Sequence, residues 1–203
     1  MTSTAAIEHP VIAWGWAGQA LEVESGDLHV VAPFEGGALV ALIDGLGHGP
    51  EAASAALAAA AVLGAHAGEP VGVLVQRCHD ALRKTRGAVL SVASFRACDS
   101  SVTWLGVGNV DAIVVDGRGN RRAAICSRGG VVGYQLPALC SATVEVYSGD
   151  VLVMVTDGIH SGFLAGLACD GSPQAIAESI LDRFAKGSDD AHVVVARYLG
   201  APS

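Results

Sequence analysis

Aromatic side chains are scarce in this chain. Only 5% of its 203 residues are Phe, Trp or Tyr, although 51% are hydrophobic, so its core must be assembled from small and branched aliphatic groups at close backbone approach. Positive charge is also short. Twelve Lys and Arg stand against twenty Asp and Glu, the net charge is -8, and no basic run occurs, which excludes a chain that grips nucleic acid by charge. An anionic substrate could be met here only by a few Arg or Lys side chains or by bound metal ions.

Other absences narrow the field further. The five cysteines, Cys78, Cys98, Cys126, Cys140 and Cys169, are odd in number and form no C-x-x-C pair; they suggest neither a disulfide framework nor a zinc ribbon, but thiols of a reducing compartment. No Lys or Arg accompanies the first apolar segment, as a secretory signal would require. The longest run of small apolar residues, Ala52 to Ala65, is interrupted by Ser54 and Gly64 and falls short of the roughly 20 residues that cross a bilayer. A cytoplasmic protein with no membrane partner is the expectation. There is no internal repeat, linker or low-complexity tail, so residues 1–203 are expected to form a single domain, and that domain to be a monomer. "GLGHGPEA" lacks the Gly-Lys-Ser/Thr of a nucleotide P-loop. "RGGVVG", Arg128 to Gly133, has neither the preceding strand nor the following helix of a dinucleotide site.

What is present reads as alternating short strands and a few helices. Strands are predicted at Val11 to Trp16, Leu28 to Ala32, Ala38 to Ile43, Val89 to Phe95, Val102 to Gly106, Ala112 to Val115, Val144 to Tyr147, Val151 to Val155 and His192 to Tyr198. Glu35-Gly36-Gly37, Asp99-Ser100, Asp116 to Asn120 and Ser148-Gly149-Asp150 read as hairpin turns, so the sheets should be largely antiparallel. Helices are predicted to open at Gly49-Pro50-Glu51, after Glu69-Pro70 and at Ser172-Pro173, where proline suits the first helical position. A helical hairpin inserted among strands, with another helix before the last strand, points to an α+β sandwich: two mainly antiparallel sheets face to face, helices outside.

Acidic residues sit at strand ends. Asp44 closes "ALVALID", Asp157 closes "VLVMVTD", and Asp189-Asp190 opens "DDAHVVVARY". If the last strand runs antiparallel to its neighbours, these would share one edge of a sheet. Asp-Gly is a common turn dipeptide, and taken singly each could be only that. Together, converging carboxylates repel unless a cation sits among them, and oxygen ligands favour Mg²⁺ or Mn²⁺, which activate water for attack on phosphorus.

The ordered segments "IDGLGHGPEAA", "GVGNVDAIVV", "SRGGVVG", "GDVLVMVTDGIHSGF" and "DDAHVVVARY" resemble the metal-dependent serine/threonine protein phosphatases, in the small bacterial branch that includes SpoIIE, RsbU and RsbX. The resemblance runs from about Ser25 to Tyr198 and is nearest to the members that reset a stressosome. It implies an αββα sandwich with one or two Mn²⁺ or Mg²⁺ ions at one end. Asp44 would bridge the metals, Gly45 would ligate through its carbonyl, Asp157 and Asp189 would complete one ion's ligands, and Asp27 would serve the second. Asp190 and Asn109 would support these ligands without binding metal. Three departures stand out: Gly26 replaces the first member of an early acidic pair, Gly108-Asn109 replaces a motif whose Asp helps hold a third ion, and no Arg precedes Asp27 to grip phosphate. Arg128 or Arg86 would then assist. The implied substrates are phosphorylated STAS-domain proteins of a stressosome. A pseudophosphatase that binds phosphoproteins without hydrolysing them, and a hydrolase of small phosphoesters, stay open beside this reading. His48 is either a general acid for the leaving alkoxide or an exposed turn histidine.

Overall fold

The computed structural model describes residues 7–8, 11–124 and 127–200; Cys126 lies outside them. The strands are β1 (Ile7–Glu8), β2 (Ile12–Gln19), β3 (Asp27–Phe34), β4 (Gly37–Gly45), β5 (Ala88–Arg96), β6 (Ser101–Val107), β7 (Asp111–Val115), β8 (Arg121–Ala124), β9 (Ala142–Glu145), β10 (Val151–Val155) and β11 (Ala191–Tyr198). The helices are α1 (Pro50–Ala65), α2 (Val71–Leu82) and α3 (Pro173–Phe184), with a 3-10 turn at Ser161–Gly166. One sheet has the order β1-β2-β11-β10-β7-β8 and the other β3-β4-β5-β6-β9. Every strand pairing in both is antiparallel.

Side-chain alternation explains the four layers. On β4, Ala38, Val40 and Leu42 face the other sheet, while Leu39, Ala41 and Ile43 pack under α1 and α2. On β11, Val194, Ala196 and Tyr198 face inward between the sheets, and Val193 and Val195 pack against α3. Strands covered on both faces have no need of polar alternation, hence their unbroken apolar runs. α1 is apolar on nearly every side because it is mostly alanine, whose small side chains let it sit close on β3 and β4. Pro50 at its first turn and Glu51 beside the positive end of its dipole start it as expected. Ser172 caps α3 by accepting a hydrogen bond from the Ala175 N–H.

Two expectations need correction. Asp44 does not share a sheet with Asp157 and Asp189: β4 belongs to one sheet, β10 and β11 to the other. The carboxylates meet because the sheets stack and these ends lie at the same end of the sandwich. Ser148-Gly149-Asp150 is also not a hairpin turn, since it carries the chain from β9 across to β10 in the opposite sheet. Its Asp150 is buried, accepting hydrogen bonds from Arg122 Nε at 3.0 Å and the Tyr147 N–H at 2.9 Å. The ninth strand begins two residues before the expected Val144, and β1, β8 and the 3-10 turn were not expected.

Candidate metal centre

Asp44 stands at the end of β4 and Asp27 at the start of β3, and the two are direct partners in the β3–β4 register. Both continue the inter-sheet face, in phase with Val31 on β3 and with Val40 and Leu42 on β4. Beyond the end of β10, Thr156 continues the phase of Leu152 and Met154, and Asp157 follows it. Asp44, Asp157 and Asp189 line one cavity of about 390 Å³ together with Leu46, Gly47, His48, Val89, Asn109 and Val131. Asp27, Gly45 and Arg128 are outside that lining.

The surrounding hydrogen bonds hold these carboxylates in place. Asn109 Nδ2 donates to Asp157 Oδ2 at 2.6 Å, and the turn that carries Asn109 is tied down by buried Ser91, whose hydroxyl donates to the Val110 carbonyl at 2.7 Å. Buried Asp27 accepts from Thr156 Oγ1 at 2.7 Å, and the same oxygen of Thr156 accepts from the His192 N–H at 2.9 Å. Asp190 points away from the cavity. Its Oδ1 accepts from the Leu21 N–H and its Oδ2 from the Gly26 N–H, each at 2.7 Å, so one carboxylate pins both ends of the loop that leads into Asp27. From that loop Glu22 reaches across the glycine turn, its Oε1 lying 2.8 Å from His48 Nδ1. Gly45 admits no side chain, because a Cβ there would fall on the Ala52 carbonyl of α1.

Crowding and burial shape the electrostatics. Asp44 is pushed up to about 8, first by desolvation and then by the charges of Asp27, Asp157, Asp189 and Asp190. Burial likewise lifts Asp27 to about 7 against the lowering effect of the Thr156 hydrogen bond. Asp157 is raised by desolvation and by Asp189, while Lys186 and Asn109 pull it down. The cavity lining contains no Lys or Arg. Carboxylates so placed ionise readily only with a cation among them. Among the described residues no three His, Cys, Asp or Glu groups form a cage for an ion by themselves. Carboxylates spread around an open cavity suit Mg²⁺ or Mn²⁺, since Mg²⁺ in particular keeps several waters and takes only one or two carboxylates. The donor set therefore fits such an ion.

Three groups near the site escaped the sequence reading. Thr156 carries a signal in its phase with Leu152 and Met154. His192 opens a predicted strand, is itself buried, and pairs between the sheets with half-buried His29, ring nitrogens 2.9 Å apart. Glu22 carries no signal, because its tie to His48 depends on how the loop folds over the turn.

Residues 35–199 match the family of stage II sporulation protein E, SpoIIE. Among solved structures, a chain from a description of the bacterial stressosome as a modular system adapted to control secondary messenger signalling superposes with a TM-score of 0.85 at 30% identity. The match covers 92% of this chain and 99% of that one. RsbX in complex with magnesium gives 0.84 at 20% identity over 96% and 98%. The Mycobacterium tuberculosis serine/threonine phosphatase PstP gives 0.73 at 16% over 94% and 99%. At identities this low the last two bear on the fold. The curated proteins give no match.

Proposed function

The chain belongs to the SpoIIE branch of the metal-dependent serine/threonine protein phosphatases, and from that premise we propose that it releases phosphate from phosphoserine or phosphothreonine in STAS-domain proteins of a stressosome. The single observation that carries the chemistry is the meeting of Asp44, from one sheet, with Asp157 and Asp189, from the other, around one cavity. The likeness to a stressosome-associated chain at 30% identity supports the substrate class. Residues 1–203 would constitute one such domain.

In this reading Asp44, Asp157 and Asp189 hold one or two Mn²⁺ or Mg²⁺ ions, joined by the Gly45 carbonyl and by Asp27 on the next strand. Such ions, when bound, supply an acidified water for attack on phosphorus and neutralise phosphate charge. Asn109 fixes the Asp157 carboxylate, and Thr156 fixes Asp27. His48, at the cavity edge and oriented by Glu22, hands its proton to the departing serine or threonine oxygen. Arg86 lies against the glycine turn: a Cβ on Gly47 would come within 2.8 Å of its Nη1. Both candidate arginines are exposed and outside the cavity lining, but Arg86 touches Gly47, which does line the cavity, and this places it better than Arg128 to meet substrate.

Phosphorylated STAS-domain proteins incubated with the chain and Mn²⁺ should lose phosphate by intact mass, and Asp44→Asn or Asp157→Asn should abolish that loss. Full turnover in both variants would refute the assignment. Binding of the phosphoprotein without any phosphate loss would instead favour a pseudophosphatase.

A further inference from the structure

Building on the phosphatase reading above, we propose that a second cavity beside the acidic one takes an acidic side chain of the substrate polypeptide, close in sequence to the phosphorylated residue, and that Glu51 occupies its arginine in the meantime. This cavity, also about 390 Å³, is lined by Pro50, Glu51, Ser54, Lys84, Thr85 and Arg86. Its wall on one side is the turn after β4. Gly47 and His48 line the acidic cavity and Pro50 lines this one, while Gly47 lies against Arg86. The two cavities are therefore separated by a few residues of backbone. An extended polypeptide advances about 3.3 Å per residue, so a segment laid over the turn can present a phosphorylated residue to Asp44, Asp157 and Asp189 and a near neighbour to Lys84 and Arg86.

The two cavities differ in charge. The first is lined by three aspartates and no Lys or Arg; the second holds two cations and one carboxylate. In a chain of net charge -8 this is a local reversal, placed where it can sort polypeptides by what flanks the phosphorylated residue. Glu51 is the internal competitor. Its Oε2 pairs with Arg86 Nη2, and both side chains are at least half exposed, at 68% and 50%. An ion pair so open to water contributes little and exchanges readily for another carboxylate. The missing Cβ of Gly47 leaves room for the guanidinium to lie against the turn, since a Cβ there would come within 2.8 Å of Arg86 Nη1.

The test compares kcat/KM of the full chain, with Mn²⁺ or Mg²⁺, on two phosphoserine peptides that differ only in carrying glutamates or glutamines around the phosphoserine. The acidic peptide should be preferred by about 1.5-fold to fivefold, the range open to exposed charge pairs. The double substitution Lys84→Gln, Arg86→Gln should bring the ratio to one. Glu51→Gln should raise it, through a lower KM on the acidic peptide. Equal kcat/KM on both peptides, or a ratio that neither variant moves, overturns the subsite. Hydrolysis of para-nitrophenyl phosphate, which has no flanking groups, is read in parallel: its absence in the unsubstituted chain overturns the phosphatase reading itself, so the two failures are distinguished.

Discussion

Thr156 joins two parts of the site through one oxygen atom and a third through the chain itself. It donates to Asp27, accepts from the backbone of β11, and stands next to Asp157 in sequence. Replacing it by Val preserves shape while leaving a buried carboxylate without its donor and the His192 N–H without its acceptor. Loss of a residue that orients a metal ligand typically weakens metal binding about 10-fold to 100-fold. Thr156→Val should therefore raise the Mn²⁺ or Mg²⁺ concentration at half-saturation by that order, measured by calorimetric titration, and Thr156→Ser should restore it. An unchanged titration would remove Thr156 from the site. At this scale the sequence disclosed which carboxylates come to line one cavity, Asp44, Asp157 and Asp189, because each stands at an end of an apolar strand. It did not disclose their holders. Glu22 meets His48 from a loop 26 positions away, and Asp190 spends both oxygens on backbone N–H groups of that same loop. Such contacts follow from how the chain folds back, not from local pattern.

Helices and strands were legible in proportion to how much of them is buried. The start of α1 at Pro50 and of α3 after Ser172 could be read from capping and proline placement, and β4, β5, β10 and β11 from their apolar runs. β8 went unseen because Arg121–Ala124 is an edge strand with two exposed arginines and no apolar alternation. β1 is only two residues long. The sheet to which each strand belongs was illegible, since period-2 alternation says which face is buried but not against what. One element-scale consequence concerns α3. Ser172→Ala removes its single side-chain cap and should destabilise the fold by about 1 kcal/mol, read from the urea midpoint at unchanged slope, with kcat untouched because α3 packs on the side of its sheet away from the cavity. A loss of kcat without loss of stability would contradict that separation.

For the whole molecule, acidity and metal are coupled. In the metal-free folded chain Asp27 and Asp44 keep their protons up to about 7 and about 8, whereas an unfolded aspartate releases its proton near 4. The folded state thus binds more protons over that interval, and stability declines as pH rises through it. His29 and His192 act in the opposite sense. Burial pushes them down to about 4 and about 3, so the unfolded chain takes up protons first below about 6.5 and stability declines on acidification. The two trends oppose each other between roughly 4 and 6.5, which leaves the carboxylates alone to act from there to about 8. Melts in chelator should show Tm falling between pH 6.5 and 8, and Mn²⁺ or Mg²⁺ at pH 8 should raise it, since an ion bound only by the folded state stabilises it. Asp44→Asn should flatten the slope. A Tm that rises with pH in chelator would refute the coupling.

The strand order of the larger sheet also bears on how the molecule is made. β2 and β10 meet only through β11, the last of the described strands in chain order, and β11 follows directly on Asp189 and Asp190. Until it emerges that sheet exists as two separate halves, the Leu21 to Gly26 loop lacks the carboxylate that fastens its ends, and the cavity lacks one wall. A nascent chain can therefore complete its helical hairpin and its five-stranded sheet during translation and still have no phosphatase site. Catalytic competence waits on that closing strand.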